Sequence, residues 1–154
     1  MAESPAIAIV IVNYNSAEFV DEFCSTLAAV ADPPWRLIAV DSASADASMD
    51  AIERAFPSAI TVRCDENVGF AAGANIGAER ALQLGATHIL FLNIDVALTP
   101  EFLSRLVAAA DARTMVVPKI LYYFDRRLIS THAGRFDWRL GLFRETYGGK
   151  PDGP

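Results

Sequence analysis

Four short polar clusters follow hydrophobic runs in this chain: Asn13-Tyr14-Asn15, Asp41 to Ser44, Asp65-Glu66-Asn67, and Asn93 with Asp95. Each carries a distinct chemistry. Tyr14 can stack on or flank an aromatic base. Asp41 can accept hydrogen bonds from a base N–H or a ribose hydroxyl. Asp95 can ligate a hard divalent cation bridging two phosphates, because Mg²⁺ and Mn²⁺ prefer carboxylate oxygen and often take only one or two protein ligands. In "HILFLNID" the carboxylate comes almost directly off a hydrophobic run, and a buried-looking strand that ends in an acid requires a partner for it. Turn and cap preferences account for part of this polar rim, since Asn and Asp favour both. They explain poorly why Asp41 and Asp95 sit at the ends of apolar strands.

The elements that must position these groups alternate. Ala6–Val12 reads as a strand, followed by a helix over Ala17–Val30 whose apolar positions Phe19, Val20, Phe23, Leu27 and Val30 recur at helical spacing. Ser16 is its expected cap, and Pro33-Pro34 ends it. Leu37–Val40 is the second strand. Ser48–Phe56 is the second helix, capped by Asp46 or Ser48, and Ile60–Arg63 the third strand. Ala71–Leu84 is a helix stopped by Gly85, His88–Leu92 the fourth strand, and Thr99-Pro100 opens a fourth helix running to about Ala110. Met115–Pro118 is expected as a fifth strand, with Leu121–Phe124 a weaker one. Strand and helix alternating in this way predict right-handed βαβ units and a parallel sheet, whose carboxyl edge is the ligand edge.

Composition agrees with a folded domain. Of 154 residues, 53% are hydrophobic and 21% charged, which excludes disorder. The net charge of −6 excludes a generic nucleic-acid binder. Cys24 and Cys64 lack metal or redox spacing and read as buried thiols of a reducing compartment. The N-terminal "MAESPAIAIVIV" has an acid where a signal peptide carries basic residues, and no run is long enough to cross a bilayer. A cytoplasmic domain is expected, with peripheral attachment at the inner face of a membrane left open.

Gly69, Gly73 and Gly77 in "NVGFAAGANIG" fall four apart on one helix face. Close packing and direct ligand contact both remain open for them. The helix start near Phe70 offers N–H groups to an anion. Glu79 and Arg80 rule out a membrane reading of the glycine spacing. A dinucleotide-binding Rossmann reading fails because the turn after the first strand, Asn13 to Ser16, has no glycine. A phosphoacceptor receiver domain would use Asp65 and Lys119, but Asn13 and Asn15 do not supply its acidic pair.

Taken in order, "VIVNYNS" (Val10–Ser16), "VDSASADAS" (Val40–Ser48), "NVGFAAGANIG" (Asn67–Gly77) and "FLNIDVALTPEFL" (Phe91–Leu103) resemble the family 2 glycosyltransferases of GT-A fold, and more closely their rhamnosyltransferase-like branch. The resemblance extends loosely through "VVPKI" and "HAGRFD". It implies an α/β fold with a mostly parallel sheet flanked by helices: a nucleotide-sugar-binding core over 1–119 and the start of an acceptor-side region over 120–154. It implies a transferase moving a sugar from a dTDP-, UDP- or GDP-sugar, dTDP-rhamnose among them, to a glycan or lipid-linked acceptor with inversion, as in bacterial-type polysaccharide biosynthesis.

Carried over by position, Val12 and Tyr14 would contact the base, and Asp41 would read its N–H. Asn67 and the Gly69–Gly73 turn would follow the nucleotide and sugar. Asn93-Ile94-Asp95 stands at the DxD position, with Asn93 in place of the first Asp. Asp95 is then the expected ligand of Mg²⁺ or Mn²⁺, and Asn93 a ribose or metal-shell contact.

No general base is identifiable. Asp125, Asp137, Glu145 and Asp152 read as solvated loop charges and His88 as structural. His132 lies in the acceptor-proximal stretch without an acid–base partner, and Trp138 and Tyr147 can line a sugar site or pack on the surface. The closing "YGGKPDGP" is turn chemistry without a closing element, which reads as a fold cut short, with the base expected further on. Such a fragment is expected to bind its nucleotide, to transfer little by itself, and to be prone to pair through an open sheet edge as a homodimer. The alternative is a non-catalytic nucleotide-binding or scaffold domain of the same fold.

Overall fold

The computed structural model of the protein describes residues 6–111, 115–131, 134–137, 139–140, 142–145 and 149–153. Two compact units divide the chain, Met1–Ser104 and Arg105–Pro154. The first is built on a four-stranded parallel sheet. Its strands are β1 (Ile7–Asn13), β2 (Trp35–Asp41), β3 (Ile60–Arg63) and β4 (His88–Leu92), in the order β3-β2-β1-β4. Helices α1 (Val20–Ala28), α2 (Ser48–Ala55) and α3 (Gly69–Gln83) connect them, and α4 (Phe102–Ala109) follows β4. The expected parallel α/β architecture is therefore what the chain forms.

Side chains alternate between the two faces of the sheet, and both faces of β1 are covered. Val10 and Val12 face α3, where glycine is required for close approach. A Cβ at Gly73 would lie 2.8 Å from Val12 Cγ1, and one at Gly77 only 2.3 Å from Val10 Cγ1. Of the two uses left open for these glycines, packing is the one seen at both. Ile9, Ile11 and Asn13 alternate with them and so face the other side, where Asn13 meets Ser48 of α2. Phe23, Leu27, Met49 and Ile52 of α1 and α2 are all but fully buried. Each such side chain contributes about 1.5–3 kcal/mol through the apolar area it removes from water.

Helix ends follow local chemistry. Gly85 takes φ +76° and closes α3, with the Ala86 N–H donating to the Ala81 carbonyl at 3.0 Å. Neither Asp46 nor Ser48 is the cap of α2, since the N-cap position falls on Ala47; Asp46 instead braces the helix start, its Oδ1 accepting the Ser48 N–H at 3.0 Å and a bond from the Ser48 hydroxyl. These bonds, led by the Ser48 hydroxyl, hold the Asp46 carboxyl below the ordinary value of its type. Ser16 acts otherwise than expected. α1 begins at Val20, and it is the Ser16 backbone carbonyl, rather than its side chain, that takes the Phe19 and Val20 N–H groups.

The second unit begins within α4 and carries short antiparallel pairs. β5 (Ile120–Leu121) pairs with β6 (Ile129–Thr131), and β7 (Gly134–Asp137) with β8 (Leu142–Glu145). The expected strand at Met115–Pro118 does not form; those residues are irregular, with Met115 90% exposed. Strand pairing needs a partner, and the first partnered residues come five positions later, at Ile120. Asp125 is held by Arg127, which lowers its pKa, and Asp152 pairs with Lys119. Two of the acids read as solvated charges are thus in ion pairs. His132, Trp138 and Tyr147 lie outside the described residues, as do the side chains of Asp137 and Glu145. Cys24 is buried, and burial, aided by Asp21, pushes its thiol up to about 11. Cys64 is only half-buried, because β3 is the outer strand of the sheet.

Candidate nucleotide-binding site

The carboxyl ends of the parallel strands open onto a cavity of about 620 Å³ within the first unit. From the loop after β1 come Tyr14, Asn15 and Ser16, followed by Phe19 at the start of α1. Ser42 follows β2, Asn67, Gly69 and Phe70 open α3, and Asn93 to Asp95 follow β4. Val12 lines the same space. Of the residues singled out in the sequence, the cavity gathers Val12, Tyr14, Asn67, Gly69, Asn93 and Asp95. It does not gather Asp41, Gly73, Asp65 or Glu66.

Gly73 is excluded by its packing on Val12, as described above. Asp65 and Glu66 are exposed beyond the end of the outer strand β3. Asp41 is 3% exposed and its carboxylate is already engaged. Oδ1 accepts the Asn13 amide at 2.8 Å and the Ser44 hydroxyl at 2.6 Å, and Oδ2 accepts the Ser44 N–H at 3.3 Å. Its neighbour Ser42 lines the cavity instead. The Ser42 hydroxyl donates to Asn67 Oδ1 at 3.0 Å and accepts the Val68 N–H at 2.9 Å, while Asn67 Oδ1 also accepts the Gly69 N–H at 2.9 Å. Those bonds fix the entry to α3, and Gly69 supplies the left-handed φ of +76° that the entry needs.

Two kinds of wall result. One is aromatic: Tyr14, Phe19 and Phe70 are 50%, 46% and 56% exposed, and all three line this one cavity. Large aromatics left half in water around a cleft are suited to a planar ligand. Phe19 reads as a core position of α1 on periodicity, but the helix begins after it. Phe70 carries no sequence signal beyond its place at the head of α3.

The other wall is polar. Asn93 and Asp95 are exposed, and neither side chain makes a hydrogen bond or ion pair with a described residue. Among the described residues, Asp95 is the only charged side chain lining the cavity.

The donor set decides which cation these residues suit. Among the described residues no three His, Cys, Asp or Glu side chains cluster to hold a metal by themselves. One free carboxylate and one free amide oxygen instead fit an oxygen-preferring Mg²⁺ or Mn²⁺ that takes its remaining ligands from phosphate and water.

The sequence matches the profile of a family described as "Glycosyl transferase family 2" over residues 8–153. No curated protein matches the sequence. Among solved structures, the fold is similar to that of the mannosyltransferase PcManGT from Pyrobaculum calidifontis in complex with GDP-Man and Mn2+. Its TM-score is 0.66 and its identity 21%, with 82% of this chain and 40% of that one covered. It is also similar to S. aureus TarS 1-349 in complex with UDP-GlcNAc, with a TM-score of 0.58 and 20% identity over 67% of this chain and 30% of that one. The chain thus spans well under half the length of either.

Proposed function

The chain belongs to glycosyl transferase family 2, and from that premise we propose that its cavity binds a nucleoside-diphosphate sugar together with a divalent cation, as the donor site of a sugar transferase. The observation that carries this reading is the division of one cavity into three half-exposed aromatics and an unpaired Asn93/Asp95 pair. A nucleotide sugar has the same division: a flat base at one end and a charged diphosphate towards the other.

Tyr14, with Phe19 and Phe70 beside it, flanks the base, and Val12 forms the floor under it. Asn67 and Gly69 follow the ribose and the first phosphate. The head of α3 adds to this: its first turn contains no acidic side chain to repel a diphosphate near its N–H groups. Asp95 holds the cation, with Asn93 beside it on the ribose or the metal shell. When bound, the cation neutralises charge on the departing nucleoside diphosphate. The chain's own part is to orient the donor against a rigid strand end and to keep one carboxylate free for the ion.

In this reading the transfer proceeds with inversion onto a glycan or lipid-linked acceptor, and a dTDP-, UDP- or GDP-sugar serves as donor, dTDP-rhamnose being the first to try. GDP-Man with Mn2+ in PcManGT and UDP-GlcNAc in TarS support a nucleotide-sugar ligand without selecting the base. Calorimetric titration of UDP, dTDP and GDP, with Mn²⁺ and with EDTA, tests the reading. Binding of one nucleotide only in the presence of metal is the expected result. A folded chain that binds none of them would leave only the shared fold.

A further inference from the structure

Asn13 is the one polar residue of β1, at the end of the apolar run Ile7–Val12, and it is fully buried. Its Oδ1 is the one buried side-chain oxygen or nitrogen without a hydrogen-bond partner among the described residues. An aliphatic residue there would continue the apolar run without desolvating an amide, and an unpaired buried carbonyl is costly. The gain has to come from the amide nitrogen. It lies 2.8 Å from Asp41 Oδ1, 3.0 Å from Ser44 Oγ and 2.9 Å from Ser48 Oγ, three acceptors for two hydrogens.

Around it the loops after β1 and β2 are tied to each other. The Asn15 N–H donates to Ser44 Oγ at 3.0 Å, the Ala45 N–H to Asn15 Oδ1 at 2.8 Å, and the Ala17 N–H to Asp46 Oδ2 at 2.9 Å. Each loop also holds a non-glycine residue at positive φ, Asn15 at 50° and Ala43 at 60°. Such conformations persist where the surroundings over-determine them, and they collect at functional sites.

We propose that Asn13 is a positioning residue for the cavity: its amide couples the two loops, and so sets where Tyr14, Asn15, Ser16 and Ser42 stand for a ligand. This rests on reading the cavity as a nucleotide site, but the coupling can be tested without a ligand. Asn13 bridges two hydroxyl–carboxylate pairs, Ser44 with Asp41 and Ser48 with Asp46. An acid at position 13 would place a second carboxylate within bonding reach of Asp41, and the two cannot both ionise there without repulsion. Exchanging the partners restores one amide and one acid.

The experiment compares the native chain with Asn13→Asp, the double variant Asn13→Asp/Asp41→Asn, and Ser44→Ala. Amide hydrogen exchange is read at Asn15, Ala17 and Ala45, and at Ile9, Ile11 and Ile38 as core controls. Nucleotide affinity is measured with whichever of UDP, dTDP or GDP the native chain binds in Mn²⁺. Asn13→Asp and Ser44→Ala are expected to speed loop exchange by about tenfold or more and to leave the core amides protected. They should weaken nucleotide binding by about tenfold, the size of one lost hydrogen bond to a charged group. The double variant should recover both.

Loop exchange and affinity unchanged in either folded single variant, or a double variant no better than Asn13→Asp, would overturn the proposal. Should Asn13→Asp not fold, Ser44→Ala decides by the same readings. If the native chain binds no nucleotide, the donor-site reading falls, and the exchange rates still decide the coupling.

Discussion

The two sides of the cavity handle polarity in opposite ways. Behind the loops after β1 and β2, Asn13, Asp41, Ser44, Asp46 and Ser48 spend their side-chain bonds on one another and on the loop backbone. At the end of β4, Asn93 and Asp95 spend none on a described residue. Polar groups satisfied within the protein give shape, because a closed network fixes its members. Polar groups left open at a cleft give affinity for whatever brings the missing partners. On this view the first side is frame and the second is ligand, and substitutions on the two sides should separate stability from binding.

The sharpest break of that contrast is Asp95→Ala. Its carboxylate bonds to no described residue, so stability should change by no more than about 0.5 kcal/mol. Metal-dependent nucleotide affinity should fall by about a hundredfold or more, since loss of even an outer partner of a metal ligand costs roughly ten- to a hundredfold. Paired calorimetry and thermal melts check both halves. A large loss of stability would move Asp95 from the ligand side to the frame.

Gly77→Ala makes the opposite test, on stability. The new Cβ would stand 2.3 Å from Val10 Cγ1 at the α3–β1 packing face, so either the Val10 side chain or α3 must shift. Overpacking of this kind costs about 1–3 kcal/mol. The denaturant midpoint should fall with an unchanged slope, and Mn²⁺-dependent nucleotide binding by the folded fraction should survive.

Much of this frame is legible in the sequence. The β4 limits, His88–Leu92, and the stop of α3 at Gly85 follow from local signals: a continuous apolar run and a residue that tolerates positive φ. The gathering of Val12, Tyr14, Asn67, Asn93 and Asp95 follows from the rule that parallel strands share one ligand edge. What escapes is decided by distant partners. Asp41 reads as a free acid until Asn13, 28 positions earlier and paired with it in the β1–β2 register, is seen to donate to it. Phe19 reads as core because periodicity reports a helix face and not what lies beyond it, and Phe70 gives no signal beyond its place at the head of α3. Met115–Pro118 has strand propensity without a strand to pair with.

The aromatic wall allows a finer separation. Phe70→Ala removes a side chain that is already 56% exposed, so little packing is lost. Stacking of a base on an aromatic is worth about 1–3 kcal/mol, so nucleotide affinity should fall roughly tenfold, with the metal requirement intact. Tyr14→Ala should act in the same direction. Inorganic pyrophosphate with Mn²⁺ is the control ligand: its affinity should not move in either variant, because it has no base to stack. A loss shared by pyrophosphate would place these rings at the phosphates.

Acid tests the frame side by itself. The folded pKa of Asp46 is lowered, first by the Ser48 hydroxyl and then by the Ala17 and Ser48 N–H groups. A lowered carboxylate contributes stability that is complete above its ordinary value and is lost as pH falls through the folded value. The native chain and Asp46→Asn should therefore differ by a constant, small amount near neutrality. The gap should close in acid below the ordinary carboxylate range, as denaturant midpoints measured across that range would record. A gap independent of pH would mean that Asp46 works through its shape and not its charge.

Ala43 gives the smallest effect and the finest probe of the frame. It sits at φ +60°, in the β2–α2 loop beside Ser42 and Ser44, where an L-residue pays roughly 1–2 kcal/mol and glycine pays no steric cost. Glycine in turn loses more conformational freedom on folding, by about 0.5–1 kcal/mol. Ala43→Gly should thus raise stability by less than about 1 kcal/mol. If the hydrogen bonds around Asn13 already fix the loop, affinity for the metal–nucleotide should stay unchanged despite the freer backbone. If instead the alanine itself holds Ser42 in place, the variant should gain stability and lose affinity together, and the work of positioning would shift from the buried amide to the loop's own conformation.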